Sequence, residues 1–239
     1  MNSDFNKTTA GRALWTSLIA TAVAEVATLP IYTLKTKFQN SPHGSGGILQ
    51  VAREMYKTGG MRVFYAASVP SIAGQMISTS SKWTIYSRLS RQKNINTVLA
   101  GLISGITSSL LTHPLDFVRV HWQMKKPITT QIKAEGIAVL YRGYSKSFAK
   151  IAIGSVLFYP LTDFFKTRTE NIIISSAASA IISTTIMHPV DYLKVRHIYN
   201  LSYYHGFEIK KYYKGLGLNL MRIVPHFVIT MSIINSFNS

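Results

Sequence analysis

The sequence predicts an all-α membrane protein of six transmembrane helices in three pseudo-symmetric repeats, and three observations carry that expectation. First, three apolar stretches have the length of ~20 residues that a bilayer-spanning helix needs: residues 13–34 hold one charge, Glu25, and residues 94–115 and 171–190 hold none. Second, each stretch closes on a proline and a polar pattern: Pro30-Ile31-Tyr32-Thr33-Leu34-Lys35, Pro114-Leu115-Asp116-Phe117-Val118-Arg119 and Pro189-Val190-Asp191-Tyr192-Leu193-Lys194, at spacings of 84 and 75 residues. Third, charges cluster between the uncharged stretches, whereas a soluble helical protein would repeat polar residues every three or four positions.

The first span runs from about Gly11 to Gln39, with Ala20 and Ala24 as a small-residue face for close helix contact. Glu25 lies in its middle, where a carboxylate costs about 2.5–3.5 kcal/mol by insertion scales unless it faces a partner or a watery cavity. A structural lysine partner and a substrate contact are equal readings of it. Pro30 sits inside the run and kinks the helix at the loss of a backbone hydrogen bond. Residues 40–47 are a loop by composition, and Ile48–Lys57 has the spacing of a short amphipathic surface helix. Val63–Ser81 is uncharged and begins the second span, which reaches about Arg91. The third span covers Ile95–Gln123 and includes Gly101 and Gly105 at the spacing that lets backbones approach. A second surface helix is expected near Thr129–Ala134, then Glu135-Gly136 and Tyr141-Arg142-Gly143, then a span over about Ser145–Lys166. The last repeat runs from Ile172 to about Ile198, has a short surface segment, and passes Tyr213-Lys214-Gly215 into a span ending near Phe237. The repeats fall at approximately 10–92, 93–168 and 169–239 of a single domain over 1–239.

Twenty-six basic residues against nine acidic ones give a formal charge of +17, which admits nucleic acid, anionic lipid or an anionic solute as partner. Much of it lies at helix ends and in loops such as Lys125-Lys126 and Lys210-Lys211, as expected beside anionic lipid. The cations inside predicted spans need another explanation. The absence of cysteine excludes disulfides and thiol chemistry. Met1–Thr9 is polar and the first apolar run continues into a motif, so neither a secretory signal nor an Arg-rich transit peptide is expected. Zinc spacings, a Walker loop and triad signatures are missing from the sequence, so no metal, cofactor or enzymatic activity is expected.

Three spaced proline motifs covering nearly the whole chain, two of them Pro-x-acid-x-x-base and the first with Tyr32 in place of the acid, resemble the signature of the mitochondrial carrier family. The compactness is similar to a short virus-encoded nucleotide carrier of that family. The resemblance implies two tilted transmembrane helices per repeat with a short matrix-side helix between them. It also implies a monomer in the mitochondrial inner membrane, the host's if virus-encoded, with membrane lipids, cardiolipin among them, as partners. In the family, acids and bases of the three motifs pair between odd-numbered helices and shut the matrix side. Carried over, Lys35 pairs with Asp191 and Asp116 with Lys194, while Arg119 meets Tyr32, where the pattern asks for an acid. Such a lock is weaker than three ion pairs. Gln39 and Gln123 match the bracing glutamines, and Ile198 holds the third such position. Of the opposite, cytoplasmic gate only Asp163 and Lys166 keep both charges; Ser87 with Ser90 and residues 231–236 lack them.

The family's substrate contact points lie seven residues beyond the glycine of the aromatic-base-Gly motif. Counting gives Lys150, followed by Ile151, and Arg222; Ala67 replaces the first glycine, so the third point is Gly74. Lys82 lies two turns deeper on the same face. Cations at that depth are costly unless they face water, an acid or an anion. Lys150 and Arg222 on separate helices suit a multiply charged solute, with the guanidinium gripping phosphate in bidentate fashion. Gly74 and Ile151 leave a slot with an aliphatic wall for a flat base. The expectation is exchange of ribo- or deoxyribonucleotides by alternating access, with no nucleic-acid partner. Carriage of phosphorylated cofactors or dicarboxylates, a basic nucleic-acid-binding protein and a non-transporting scaffold are the alternatives. Lys82 as neutraliser of Glu25 is an equal alternative. Tyr86, Phe158 and Tyr159 fit packing or interface anchoring better than stacking, and His113 and His188 suggest a shared helix contact rather than a metal site.

Overall fold

In a computed structural model of the chain, each apolar stretch and its proline motif form one continuous helix. The structure describes the backbone of residues 2–42, 46–90, 92, 95–169 and 172–238, with side chains at 2–10, 13, 97, 155–156, 158–160, 162–163, 166, 172–173, 176, 227, 231, 234–235 and 237–238 excepted. The order is α1 (Asn2–Asn40), α2 (Ile48–Gly59), a 3-10 segment (Gly60–Tyr65), α3 (Ser68–Leu89), α4 (Thr97–Gln123), α5 (Ile128–Glu135), a second 3-10 segment (Ile137–Tyr141), α6 (Tyr144–Thr169), α7 (Ile172–Ile198), α8 (Ile209–Tyr212) and α9 (Leu216–Asn238). Each third of the chain therefore reads long helix, short helix, long helix.

Two boundaries depart from expectation. Helix α1 starts at Asn2, ahead of Gly11, and the uncharged stretch from Val63 is divided between a 3-10 segment and α3. Gly60 opens the 3-10 segment at φ +61°, a left-handed conformation that favours glycine. The turns into α6 and α9 have the same need: Gly143 and Gly215 stand at φ +85° and +87°. The equivalent Ala67 adopts φ −118°, so the first repeat makes its turn without a glycine.

Helix α1 packs on α3 and α9, α3 on α4, α4 on α6, α6 on α7 and α7 on α9, which closes the six long helices into a ring. Helices α1, α4 and α7 also touch one another inside it. Polarity across the ring is inverted relative to a soluble bundle. Trp15, Ile19, Val23 and Val26 of α1, Leu110 and Leu111 of α4, and Ile181, Ile182 and Ile186 of α7 are exposed. Thr16, Thr21 and Thr28, Ser104 and Ser108, and Ser175, Ser179 and Ser183 are buried. Water would favour the opposite distribution. Most of the buried hydroxyls bond to their own helices: Thr28 donates to Ala24 O (2.7 Å), Thr112 to Ser108 O (3.0 Å) and Ser179 to Ser175 O (2.7 Å), while Ser108 donates across to Ser78 O of α3 (3.2 Å). Ala20 and Ala24 are fully buried. A Cβ on Gly105 would come within 2.8 Å of Ile151 Cγ2, so the small residue is what lets α4 and α6 approach.

By length and hydropathy alone, two helical stretches among the described residues qualify to cross a membrane, Leu14–Asn40 and Val98–Gln123. Helices α3 and α6 are interrupted by Lys82 and Lys150, which lowers their hydropathy.

Candidate functional site

Each proline stands inside its helix just before residues at i and i+3 that share a face, and these faces meet inside the ring. Lys35 of α1, 2% exposed, forms an ion pair with Asp191 Oδ2 of α7 and donates to Asn219 Oδ1 of α9 at 3.0 Å. The other oxygen of Asp191 takes Lys150 Nζ of α6 at 2.5 Å. One carboxylate therefore joins α1, α6 and α7. Asp116 of α4 is divided in the same way, between Lys194 Nζ of α7 (Oδ2, 2.7 Å) and Arg119 Nη2 of its own helix (Oδ1, 2.7 Å). Arg119 also donates to the Tyr32 hydroxyl at 2.7 Å. Its guanidinium lies 4.5 Å from the Tyr32 ring centre, and that of Arg222 lies 4.3 Å from it. A ring that attracts cations thus stands where the motif asks for an acid. Arg222 Nη2 meets Glu25 Oε2 at 2.7 Å.

Next to these pairs is a cavity of about 470 Å³ bounded by the long helices. Gly74, Lys82, Lys150, Ile151 and Arg222 line it, as do Tyr32, Asp116, Arg119, Asp191 and Lys194. Of the expected site residues, Glu25 and Lys35 lie behind this lining, buried against their partners. The partner of Glu25 is Arg222 and not Lys82. Gln123 Nε2 of α4 donates to Thr33 Oγ1 of α1 at 3.3 Å. The amide of Gln39 packs against Gly215, and its backbone oxygen accepts from Arg196 Nη1 at 3.0 Å. The side chains of Asp163 and Lys166 lie outside the described residues.

His113 and His188 make one repeated contact. His113 Nε2 donates to Arg142 O (3.0 Å) and its Nδ1 accepts from Ser147 Oγ (3.2 Å). His188 Nε2 donates to Lys214 O (3.2 Å) and its Nδ1 accepts from Asn219 Nδ2 (3.5 Å). A carbonyl can only accept, which fixes the tautomer in both. Ser147 and Asn219 went unremarked in the sequence, although each stands four residues past the glycine of its turn. His226 was also missed; it lines the cavity with Nδ1 3.4 Å from Thr28 Oγ1. Among the described residues no group of side chains could hold a metal ion.

Outside the ring, Lys214 donates to Ser41 O (2.6 Å) and Ser41 Oγ (2.9 Å), fastening the end of α1 to the turn before α9. Burial, and then the nearby Arg196 guanidinium, bring its pKa down to about 8.

A family model described as mitochondrial carrier protein matches residues 6–93 and 90–172. A mitochondrial carrier-like protein of Acanthamoeba polyphaga mimivirus is 48% identical over 225 residues, which cover 93% of this chain and 94% of that protein. A mitochondrial thiamine pyrophosphate carrier of Saccharomyces cerevisiae is 27% identical over 172 residues, 61% of this chain and 55% of its own length. A mitochondrial nicotinamide adenine dinucleotide transporter from the same yeast is 24% identical over 187 residues, 65% and 50% of the two chains.

Proposed function

The chain belongs to the mitochondrial carrier family, and from that premise we propose that it carries nucleotides across the mitochondrial inner membrane by exchange through alternating access. The observation that carries the reading is Lys150 and Arg222 reaching one cavity from separate helices, beside Ile151 and Gly74. Two cations at a distance from each other suit a solute with a phosphate chain, and the aliphatic wall suits its base. The yeast relatives support the class, since a pyrophosphate and a dinucleotide stand in their names. The inverted polarity of the ring supports six membrane-spanning helices, and the family membership is the ground for reading the protein as a monomer in lipid, cardiolipin included.

The same contacts supply a mechanism. Lys150 and Arg222 are held by Asp191 and Glu25, so an arriving phosphate competes with those carboxylates for them. Asp191 also holds Lys35, and Glu25 is left with a charge buried beside Tyr32 and Arg119. Binding in the cavity therefore loosens the α6–α7 contact at Asp191 and the α1–α9 contact at Glu25, next to the Lys35–Asp191 pair that belongs to the matrix gate in this reading. Differential affinity for the two states is what any such shift requires.

Binding is tested on the detergent-solubilised protein by thermal unfolding with nucleotides, the matching nucleosides and thiamine pyrophosphate. Nucleotide at about a hundred times its dissociation constant adds about 2.7 kcal/mol of stability, and the nucleoside adds nothing. Equal shifts from nucleoside and nucleotide contradict the phosphate contacts. A shift from thiamine pyrophosphate alone moves the assignment to phosphorylated cofactors.

A further inference from the structure

We propose that the cavity selects its nucleotide by phosphate number, favouring the triphosphate over the monophosphate, and that Lys82 holds the outermost phosphate. The proposal rests on the nucleotide reading above and adds the part of the nucleotide that is recognised.

Two facts point to it. The first is charge. Lys82, Arg119, Lys150, Lys194 and Arg222 face the cavity, against Asp116 and Asp191, a formal surplus of three positive charges. Adding the buried Lys35 and Glu25 leaves that surplus unchanged. Asp191 and Asp116 each divide their two oxygens between two cations, and Glu25 holds Arg222. Lys82 is the cation left over: among the described residues no carboxylate lies within ion-pair distance of it. The charges that act on it most are the like-charged Lys150 and the Asp116 carboxylate, already occupied twice. Lys82 is exposed where it lines the cavity, so its ammonium is open to an anion that enters there. A monophosphate carries about −1.5 to −2 at pH 7, too little to match the surplus, and each further phosphate adds ionised oxygens.

The second fact is position. Lys82 follows Gly74 by two helical turns, about 12 Å along α3, and Gly74 is the repeat equivalent of Lys150 and Arg222. Gln75 and Ser78 line the cavity between these levels. The cations are therefore spread along the cavity rather than gathered at one point. A single phosphate cannot meet both ends, whereas a phosphate chain extended from the level of Lys150 and Arg222 can.

The test is uptake of the mono- and triphosphate of one nucleoside into liposomes holding the wild type, Lys82→Gln or Lys82→Arg, without divalent cations. The readout is the ratio of the two uptakes in the same preparation, so that differences in yield cancel. The wild type is expected to favour the triphosphate. Lys82→Gln lowers that ratio about ten- to hundredfold, the effect of one charge-assisted hydrogen bond, and Lys82→Arg retains it. A wild type that carries nucleotides but prefers the monophosphate, or a Lys82→Gln protein whose two uptakes fall equally, overturns the proposal. A wild type that carries no nucleotide overturns the underlying reading as well, and is recognised by the missing uptake of both.

Discussion

Asp191→Asn deletes the carboxylate on which α1, α6 and α7 meet while keeping the volume of the side chain. Asp191 is 5% exposed and its partner Lys35 2%, so the substitution leaves a buried ammonium without a carboxylate, beside the amide of Asn219, the Tyr32 ring and the new amide. Removing one partner of a buried ion pair costs about 3–5 kcal/mol. The side chain of Lys150 is 37% exposed, and the loss of its contact adds at most about 1 kcal/mol. At about 2–4 °C per kcal/mol for a chain of this size, the loss of the buried pair alone lowers the melting temperature by roughly 6–20 °C. Thermal unfolding of the solubilised protein measures it. Lys35→Met combined with Asp191→Asn recovers most of the loss, because neither charge is then left alone. The swap Lys35→Asp with Asp191→Lys recovers less, since the introduced lysine faces Lys150. A single variant as stable as the wild type, or a double variant as unstable as the single, refutes the reasoning.

Arg222→Ala impairs nucleotide uptake more than Lys150→Ala, because it removes several directed donors and also leaves Glu25 buried without its partner; equal uptake by the two variants counts against it. Gly143→Ala and Gly215→Ala each lower thermal stability by about 1 kcal/mol or more, since an alanine is strained at those left-handed turns. Ala67→Gly, at a φ that alanine accepts, loses only a few tenths of a kcal/mol to about 1 kcal/mol through added unfolded-state entropy. Lys214 titrates near 8 when folded and near 10.5 when unfolded. Between those values the unfolded state binds more protons, so this group's contribution to stability rises with pH across the window. Melting curves of the wild type and Lys214→Met measured on both sides of pH 8 should diverge in that direction; parallel curves contradict it.

The long helices were legible because a bilayer-length apolar run and a proline motif leave marks that survive in one dimension. The pairings Lys35–Asp191 and Lys194–Asp116 were legible only through the family resemblance, whose pairs between odd-numbered helices were carried onto the repeated motif. The division of Asp191 between Lys35 and Lys150 was not legible, since it depends on how close α6 comes to α7 at Lys150. Lys150 and Arg222 were expected as phosphate ligands, and the acids that engage them, Asp191 and Glu25, were not foreseen. That Glu25 pairs with Arg222 rather than Lys82 depends on α9 closing the ring against α1, a contact between the two ends of the chain that no local spacing encodes. The early helical turns of the Val63 stretch were misassigned because an uncharged run does not distinguish a 3-10 segment from an α-helix.

The most direct test is uptake of labelled nucleotide into liposomes containing the purified protein and preloaded with unlabelled nucleotide. Uptake that depends on the internal nucleotide, fails for the nucleoside and falls in Arg222→Ala is what the account predicts. Liposomes that take up no more nucleotide than protein-free ones, or that take up nucleoside equally well, would contradict it.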